Sequence, residues 1–135
     1  MKMLFLSFCF ASIIFLLIDG LWLFLTIKSF YRPALNNLLL DKPIIWATVL
    51  FYIIYTIGLT IVILRPGLIT NSFFEVFLNG FFFGLVAYGT YNLTNMATLK
   101  GWSANVVFVD MIWGGLLTSF VSVSSIYLTK FFLNN

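Results

Sequence analysis

The chain has 135 residues, of which 62% are hydrophobic and only 8% are charged. A soluble domain of this length needs a large polar surface, and about 25% of the residues of such a domain are usually charged. The composition therefore excludes a soluble protein and predicts an integral membrane protein, while a net charge of +3 from scattered basic residues excludes nucleic-acid binding.

The first two apolar segments are each long enough to cross a bilayer as a helix, which takes about 20 residues. Residues 3–27 form an apolar run that is too long for the core of a signal peptide, so we expect a retained membrane helix. Residues 44–64 contain no charged residue. We expect the Arg-Pro-Gly sequence at 65–67 to end this second helix, because Pro-Gly after a helix is a stop signal.

The last two segments are predicted at residues 73–94, which are rich in aromatic side chains, and at residues 104–129. Short loops join the four segments, so neighbouring helices are expected to be antiparallel. The sequence thus predicts an all-α polytopic membrane protein, with residues 1–135 forming a single integral membrane domain folded as a four-transmembrane-helix up-and-down bundle. Basic residues are balanced between the two predicted sides, so the positive-inside rule gives no orientation.

Two acids lie inside these apolar segments, and each is followed three positions later by a tryptophan: Asp19 by Trp22, and Asp110 by Trp113. In an up-and-down bundle both acids fall in the same half of the membrane. A charged side chain at mid-helix costs about 2.5–3.5 kcal/mol on insertion scales, and an intramembrane acid is by default a hypothesis of function. The alternative is that each carboxylate only joins helices, through hydrogen bonds that average about 0.6 kcal/mol. If the two acids meet, they would titrate as a pair that shares a proton.

Polar and aromatic side chains predicted in the same half of the membrane can complete a ligand site around the two acids. Amide and threonine side chains at the end of the third helix can also serve only to satisfy free backbone carbonyls there. The chain has no histidine, and Cys9 is its only cysteine, so we expect no metal site and no cofactor, and assign no catalytic residue. The candidate ligand-binding residues are Asp19, Trp22, Tyr52, Tyr88, Tyr91, Asn92, Asn95, Asp110 and Trp113.

Small residues recur on two of the predicted helices. Gly80 and Gly84 form a G-x-x-x-G pattern, which is typical of a contact face in an apolar helix. The fourth helix carries small or hydroxylated residues every three or four positions, which favours close packing or the lining of a narrow hydrophilic path. They are Gly114, Thr118, Ser122, Ser125 and Thr129.

Two stretches, AYGTYNLTNMATLKGW at 87–102 and VDMIWG at 109–114, resemble the signature of a family of small uncharacterised bacterial predicted inner-membrane proteins. The resemblance extends over essentially the whole chain through DGLWL in the first helix and FYIIY in the second. It implies a four-helix fold in the bacterial inner membrane and no particular reaction. Members of that family usually carry an aspartate where this chain has Asn92, so the resemblance implies a hydrogen-bonding role there, without a third titratable acid.

The leading functional hypothesis is a protein that binds or transports a small solute, a proton or an amphipathic ligand through a polar site in one leaflet half. Its expected partners are the lipid bilayer, an unknown small ligand and further copies of itself in a homo-oligomer. One alternative is a membrane enzyme acting on lipid or isoprenoid, with the two carboxylates in acid and base roles. Another is a structural subunit that binds a larger membrane partner through its glycine and serine faces.

Overall fold

The computed structural model describes residues 1–134, and within that range all regular structure is helical. Four helical stretches are long and apolar enough to span a membrane: Lys2–Leu38, Ile45–Thr70, Phe73–Thr98 and Ala104–Leu133. The predicted all-α fold with four transmembrane helices is confirmed, and the protein is a multi-pass membrane protein.

The first span continues well beyond residue 27, where the sequence predicted its end. It consists of α1 (Lys2–Thr26), a π-helical turn (Ile27–Tyr31), α2 (Arg32–Leu35) and a short 3₁₀ turn (Asn36–Leu38). Pro33 does not break the helix because it lies in the first turn of α2, where a missing backbone N–H is tolerated. The extension places side chains that were predicted in a loop against the helical bundle.

The second span also passes its predicted end. It consists of α3 (Ile45–Leu59), a π-helical turn (Thr60–Leu64) and α4 (Arg65–Thr70). The prediction that Arg-Pro-Gly stops this helix is wrong, since Pro66 occupies the first turn of α4 after the π-helical turn. The helix ends instead at Asn71, whose φ of 57° is the left-handed conformation common after a helix.

The third and fourth spans are α5 (Phe73–Thr98) and α6 (Ala104–Asn134), and each is longer than predicted. The side chain of Ser72 caps α5 by accepting the backbone N–H of Glu75 at 3.3 Å. An acidic residue in the first helical turn also interacts favourably with the helix dipole. This capped start lies on the membrane side opposite the candidate site.

Pairs of contacts show that α1 and α6 are antiparallel. At one end of the pair, the hydroxyls of Ser7 and Thr129 are 2.9 Å apart. At the other end, the Trp113 indole N–H donates to Asp19 at 3.1 Å. Between these two contacts, α1 is packed along α6, so the two acids come from helices that share a long interface.

The small residues of α5 and α6 face each other inside the chain. A Cβ atom at Gly84 would collide with the carbonyl oxygen of Gly114, and one at Gly80 would lie 3.1 Å from the Cα of Ser119. The hydroxylated face of α6 is fully buried and bonded mainly to backbone carbonyls of the preceding turn. These contacts agree with close helix packing, and none of these side chains lines the cavity described below. Its buried members are Thr118, Ser119, Ser122, Ser125 and Thr129.

Candidate functional site

Asp19 is buried in α1, and each of its oxygens accepts a hydrogen bond from a different helix. Trp113 on α6 donates its indole N–H to Oδ1 at 3.1 Å. Tyr52 on α3 donates its hydroxyl to Oδ2 at 2.8 Å. Asp19 is only 5% exposed, so these two neutral donors replace the water that the carboxylate would otherwise bind.

Asp110 is buried in α6 and is held in the same way by two neutral donors. The Tyr31 hydroxyl donates to Oδ1, and the Asn92 amide nitrogen donates to Oδ2 at 3.1 Å. Asn92 is fully buried, and the same nitrogen also donates to the backbone carbonyl of Tyr88 at 3.0 Å. Asp110 therefore joins α6 to α5 and to the π-helical turn that follows α1.

The two tryptophans connect the acids to each other. The Trp22 and Trp113 rings are stacked, with centroids 4.1 Å apart and planes inclined by 13°. Trp113 donates to Asp19, whereas Trp22 donates to the Tyr31 hydroxyl at 3.0 Å, and that hydroxyl donates to Asp110. Neither tryptophan bonds the acid on its own helix. The repeated Asp-x-x-Trp pattern thus forms one network across two helices.

The described part of the chain brings no basic side chain to either acid. Its only ion pair joins Arg32 and Asp41 at 3.5 Å on the exposed surface. An acid inside a membrane is normally paired with a base or faces a cavity, because burial of an unpaired charge is costly. Here all four donors to the acids are neutral, so a positive charge or a proton at this position would have to come from outside the chain.

Both acids line one cavity with a volume of about 460 Å³. Its polar part also includes the rings of Trp22, Tyr31 and Tyr88. The rest of the wall is mostly apolar and is contributed by all four spans. Apolar lining residues include Leu23, Ile27, Leu35, Leu39, Phe51, Ala87 and Val106.

The wall of the cavity includes residues on the outer surface of the bundle. Leu23 on α1, Phe51 on α3 and Tyr91 on α5 line it, and these residues are 39%, 43% and 59% exposed. α3 packs mainly on α1, whereas α5 and α6 are in contact along most of their length. Partly exposed residues of three spans therefore contribute to the cavity that the two acids line.

The profile of the protein family described as "Predicted membrane protein (DUF2177)" matches residues 4–127. The chain belongs to this family. The matched range contains both acids and every residue that lines the cavity. Comparison with curated proteins and with solved structures gives no match.

The structure of this family member places most of the sequence-predicted site residues around the cavity. Tyr52 and Asn92 donate hydrogen bonds to the acids but do not line the cavity. Asn95 contacts Tyr91 and lies outside the cavity wall. The predicted residues that line the cavity are Asp19, Trp22, Tyr88, Tyr91, Asp110 and Trp113.

Four aromatic residues that line the cavity were not predicted: Tyr31, Phe51, Tyr55 and Trp102. Tyr31 is the most important, because it alone joins the Trp22 side of the network to Asp110. It was assigned to a loop after residue 27. A usable signal was present, since Ile27, Tyr31, Leu35 and Leu39 recur every four residues, as on one face of a continuing helix.

Proposed function

We propose that the protein binds a small amphipathic ligand in this cavity, as a binding protein or transporter of the bacterial inner membrane. The polar group of the ligand lies toward Asp19 and Asp110, and its apolar part lies along the apolar wall. The observation that carries the proposal is that two buried acids from different helices line one cavity, whose wall also includes exposed residues of three spans. The cavity volume of about 460 Å³ lies in the range of about 300–1,000 Å³ that is typical of small-molecule sites.

The alternatives have less support. A structural subunit would need its glycine and serine faces free to bind a partner, but those faces are buried between α5 and α6. A lipid-modifying enzyme would need a nucleophile, a metal site or a phosphate-binding motif beside the carboxylates, and the sequence shows no such motif. The inner-membrane location is supported by the resemblance of residues 87–102 to the bacterial signature.

Binding can be measured by quenching of tryptophan fluorescence. Trp46 is 71% exposed and lies outside the cavity, whereas Trp22, Trp102 and Trp113 line it. A Trp46→Phe protein in phosphatidylcholine nanodiscs therefore reports from the cavity alone. We expect a bromine-labelled ten-carbon alcohol, which quenches tryptophan on contact, to produce saturable quenching.

A matched pair of substitutions distinguishes the cavity from the outer surface. Ala87→Phe adds a ring to the cavity wall, and Val86→Phe adds the same ring to the lipid-facing side of the same helix, where Val86 is 66% exposed. We expect saturable quenching to persist in Val86→Phe and to be lost in Ala87→Phe. A second cavity-filling variant, Val106→Phe, should agree with Ala87→Phe. Saturable quenching that is unchanged in both cavity-filling proteins would contradict the proposed function.

A further inference from the structure

We infer that the Asp110 end of the cavity is a binding site for the primary ammonium group of a single-chain amphiphile. This inference rests on the proposed function and adds to it the chemical class of the ligand. Three properties of the site carry it: its unused hydrogen-bond acceptors, its uncompensated charge, and its aromatic and apolar walls.

The Asp110 end has more acceptors than donors. A carboxylate offers about four acceptor positions, and Asp110 fills one on each oxygen, with the donors from Tyr31 and Asn92. Asp110 lines the cavity, whereas Asn92 does not, so the free acceptor positions of Asp110 are the ones that a ligand can reach. A buried acceptor position without a donor is costly, which favours a ligand that brings donors.

The charge of the site favours a cationic donor over a neutral one. No lysine or arginine lines the cavity, and the chain contains no histidine. A primary ammonium supplies one positive charge and three N–H donors, as the lysine side chain does. An alcohol supplies one donor without charge, and a quaternary ammonium supplies charge without a donor. A calcium ion takes about six to eight oxygen ligands, far more than the two oxygens of the Asp110 carboxylate.

The walls suit the remainder of such a ligand. The rings of Trp22, Trp113 and Tyr31 line the cavity, and an aromatic ring attracts a cation that lies over its face within about 6 Å. Beyond them, Leu23, Ile27 and other aliphatic side chains surround an apolar tail. The volume of about 460 Å³ is that of a small-molecule site, so we infer a ligand with one chain.

Competition against the brominated alcohol tests the inference in the unaltered cavity of the Trp46→Phe protein. The competitors are decylammonium, decanol and decyltrimethylammonium, compared at equal concentration in phosphatidylcholine nanodiscs after correction for membrane partitioning. We expect decylammonium to compete about 10- to 100-fold better than either of the others, as hydrogen bonds to a charged group predict. Equal competition by decanol or by decyltrimethylammonium would overturn the ammonium assignment while leaving the proposed function intact. If no ten-carbon compound competes and the bromine quenching does not saturate, the proposed function itself fails.

Two carboxylate-to-amide substitutions locate the site. Asp110→Asn removes the charge of the side chain and keeps its shape. We expect this variant to lose the preference for decylammonium while its affinity for decanol changes less than about threefold. Asp41→Asn removes an exposed carboxylate outside the cavity and should keep the preference. A preference retained in Asp110→Asn would overturn the assignment to this end of the cavity.

A further arm of the competition identifies where the ammonium group comes from. Phosphatidylethanolamine carries a primary ammonium on a two-chain lipid, whereas a free long-chain amine carries it on one chain. Weaker apparent binding of decylammonium in phosphatidylethanolamine nanodiscs than in phosphatidylcholine nanodiscs would show that the lipid head group occupies the same site, and would overturn the single-chain assignment. Equal binding in the two membranes would support a single-chain amine as the ligand.

Discussion

Replacing Gly84 by alanine should destabilise the protein, because this position lies where α5 and α6 are closest. A Cβ atom at Gly84 would collide with the carbonyl oxygen of Gly114 and with the hydroxyl of Thr118. Gly20 offers a matched control in α1, since a Cβ atom there would have no other atom within 4 Å. Both substitutions add the same methyl group to a membrane helix, so the difference between them measures the close helix contact alone.

The magnitude follows from two opposing effects. Inserting a methyl group into a packed interior costs about 1–3 kcal/mol, and the upper part of that range applies because the obstacle is backbone, which cannot rotate away. Replacing glycine by alanine within a helix returns up to about 1 kcal/mol. We therefore expect Gly84→Ala to lower the free energy of unfolding by about 2 kcal/mol. Gly20→Ala should leave the free energy of unfolding unchanged or raise it by up to about 1 kcal/mol.

The effect should extend beyond the glycine contact. The Thr118 hydroxyl donates to the Gly114 carbonyl at 2.6 Å and also lies 2.6 Å from the Tyr55 hydroxyl. The added methyl group would collide with the Gly114 carbonyl and the Thr118 hydroxyl themselves, so it disturbs both bonds, and Tyr55 lines the cavity. Gly84→Ala should therefore also weaken ligand binding, whereas Gly20→Ala should not.

Equilibrium unfolding in mixed micelles gives the measurement. The fraction of sodium dodecyl sulfate is raised stepwise, and helical circular dichroism and tryptophan fluorescence are followed in the parent and both variants. Coincident transitions by the two probes justify a two-state free energy. A Gly84→Ala protein that is as stable as the parent, in an experiment where Gly20→Ala behaves as expected, would refute the account of the α5–α6 interface.

The other predictions use the same unfolding measurement. Trp113→Phe keeps an aromatic ring in the stack but removes the donor to Asp19, and should lower the free energy of unfolding by about 1–2 kcal/mol. A loss below about 0.5 kcal/mol, which is typical of exposed ion pairs, would mean that the hydrogen bond adds little to the stability that the ring provides. Thr129→Val removes the interhelical hydroxyl contact with Ser7 and should cost about 0.6 kcal/mol, the average for such bonds in membranes. Asp41→Asn breaks only an exposed ion pair and should change stability by less than about 1 kcal/mol, so a larger loss would show that this loop matters to the fold.

The positions of the four spans could be predicted from the sequence, whereas all four spans continue beyond their predicted ends. Hydropathy identifies a span because the bilayer sets its minimum length. The first end was placed where the apolar run stops at residue 27, and the second was placed at residue 64 because Pro-Gly follows it. In both places a π-helical turn precedes the proline, and the proline then occupies the first turn of a new helical segment. Sequence periodicity alone does not reveal a π-helical turn.

Several residues of the candidate site could be predicted from the sequence, but the hydrogen bonds between them could not. The spacing of Asp19 and Trp22, and of Asp110 and Trp113, is visible in the sequence. Which acid each indole bonds depends on the rotation of each helix about its own axis, which is determined by packing across the whole bundle. The role of Tyr31 depends on the same packing, because its hydroxyl reaches Asp110 only when the first span continues beyond residue 27.

The crossed pairing of the tryptophans has a consequence for biosynthesis. The indole that stabilises Asp19 is 94 residues further along the chain, so it is translated long after α1 has entered the membrane. Until α6 is inserted, the nascent chain carries an acid whose nearest donor is a single hydroxyl, supplied by Tyr52 when α3 follows. Asp19 therefore has both of its donors only when α6 arrives, and a stalled chain that lacks α6 would present a poorly paired acid to the proteases that degrade unfinished membrane proteins.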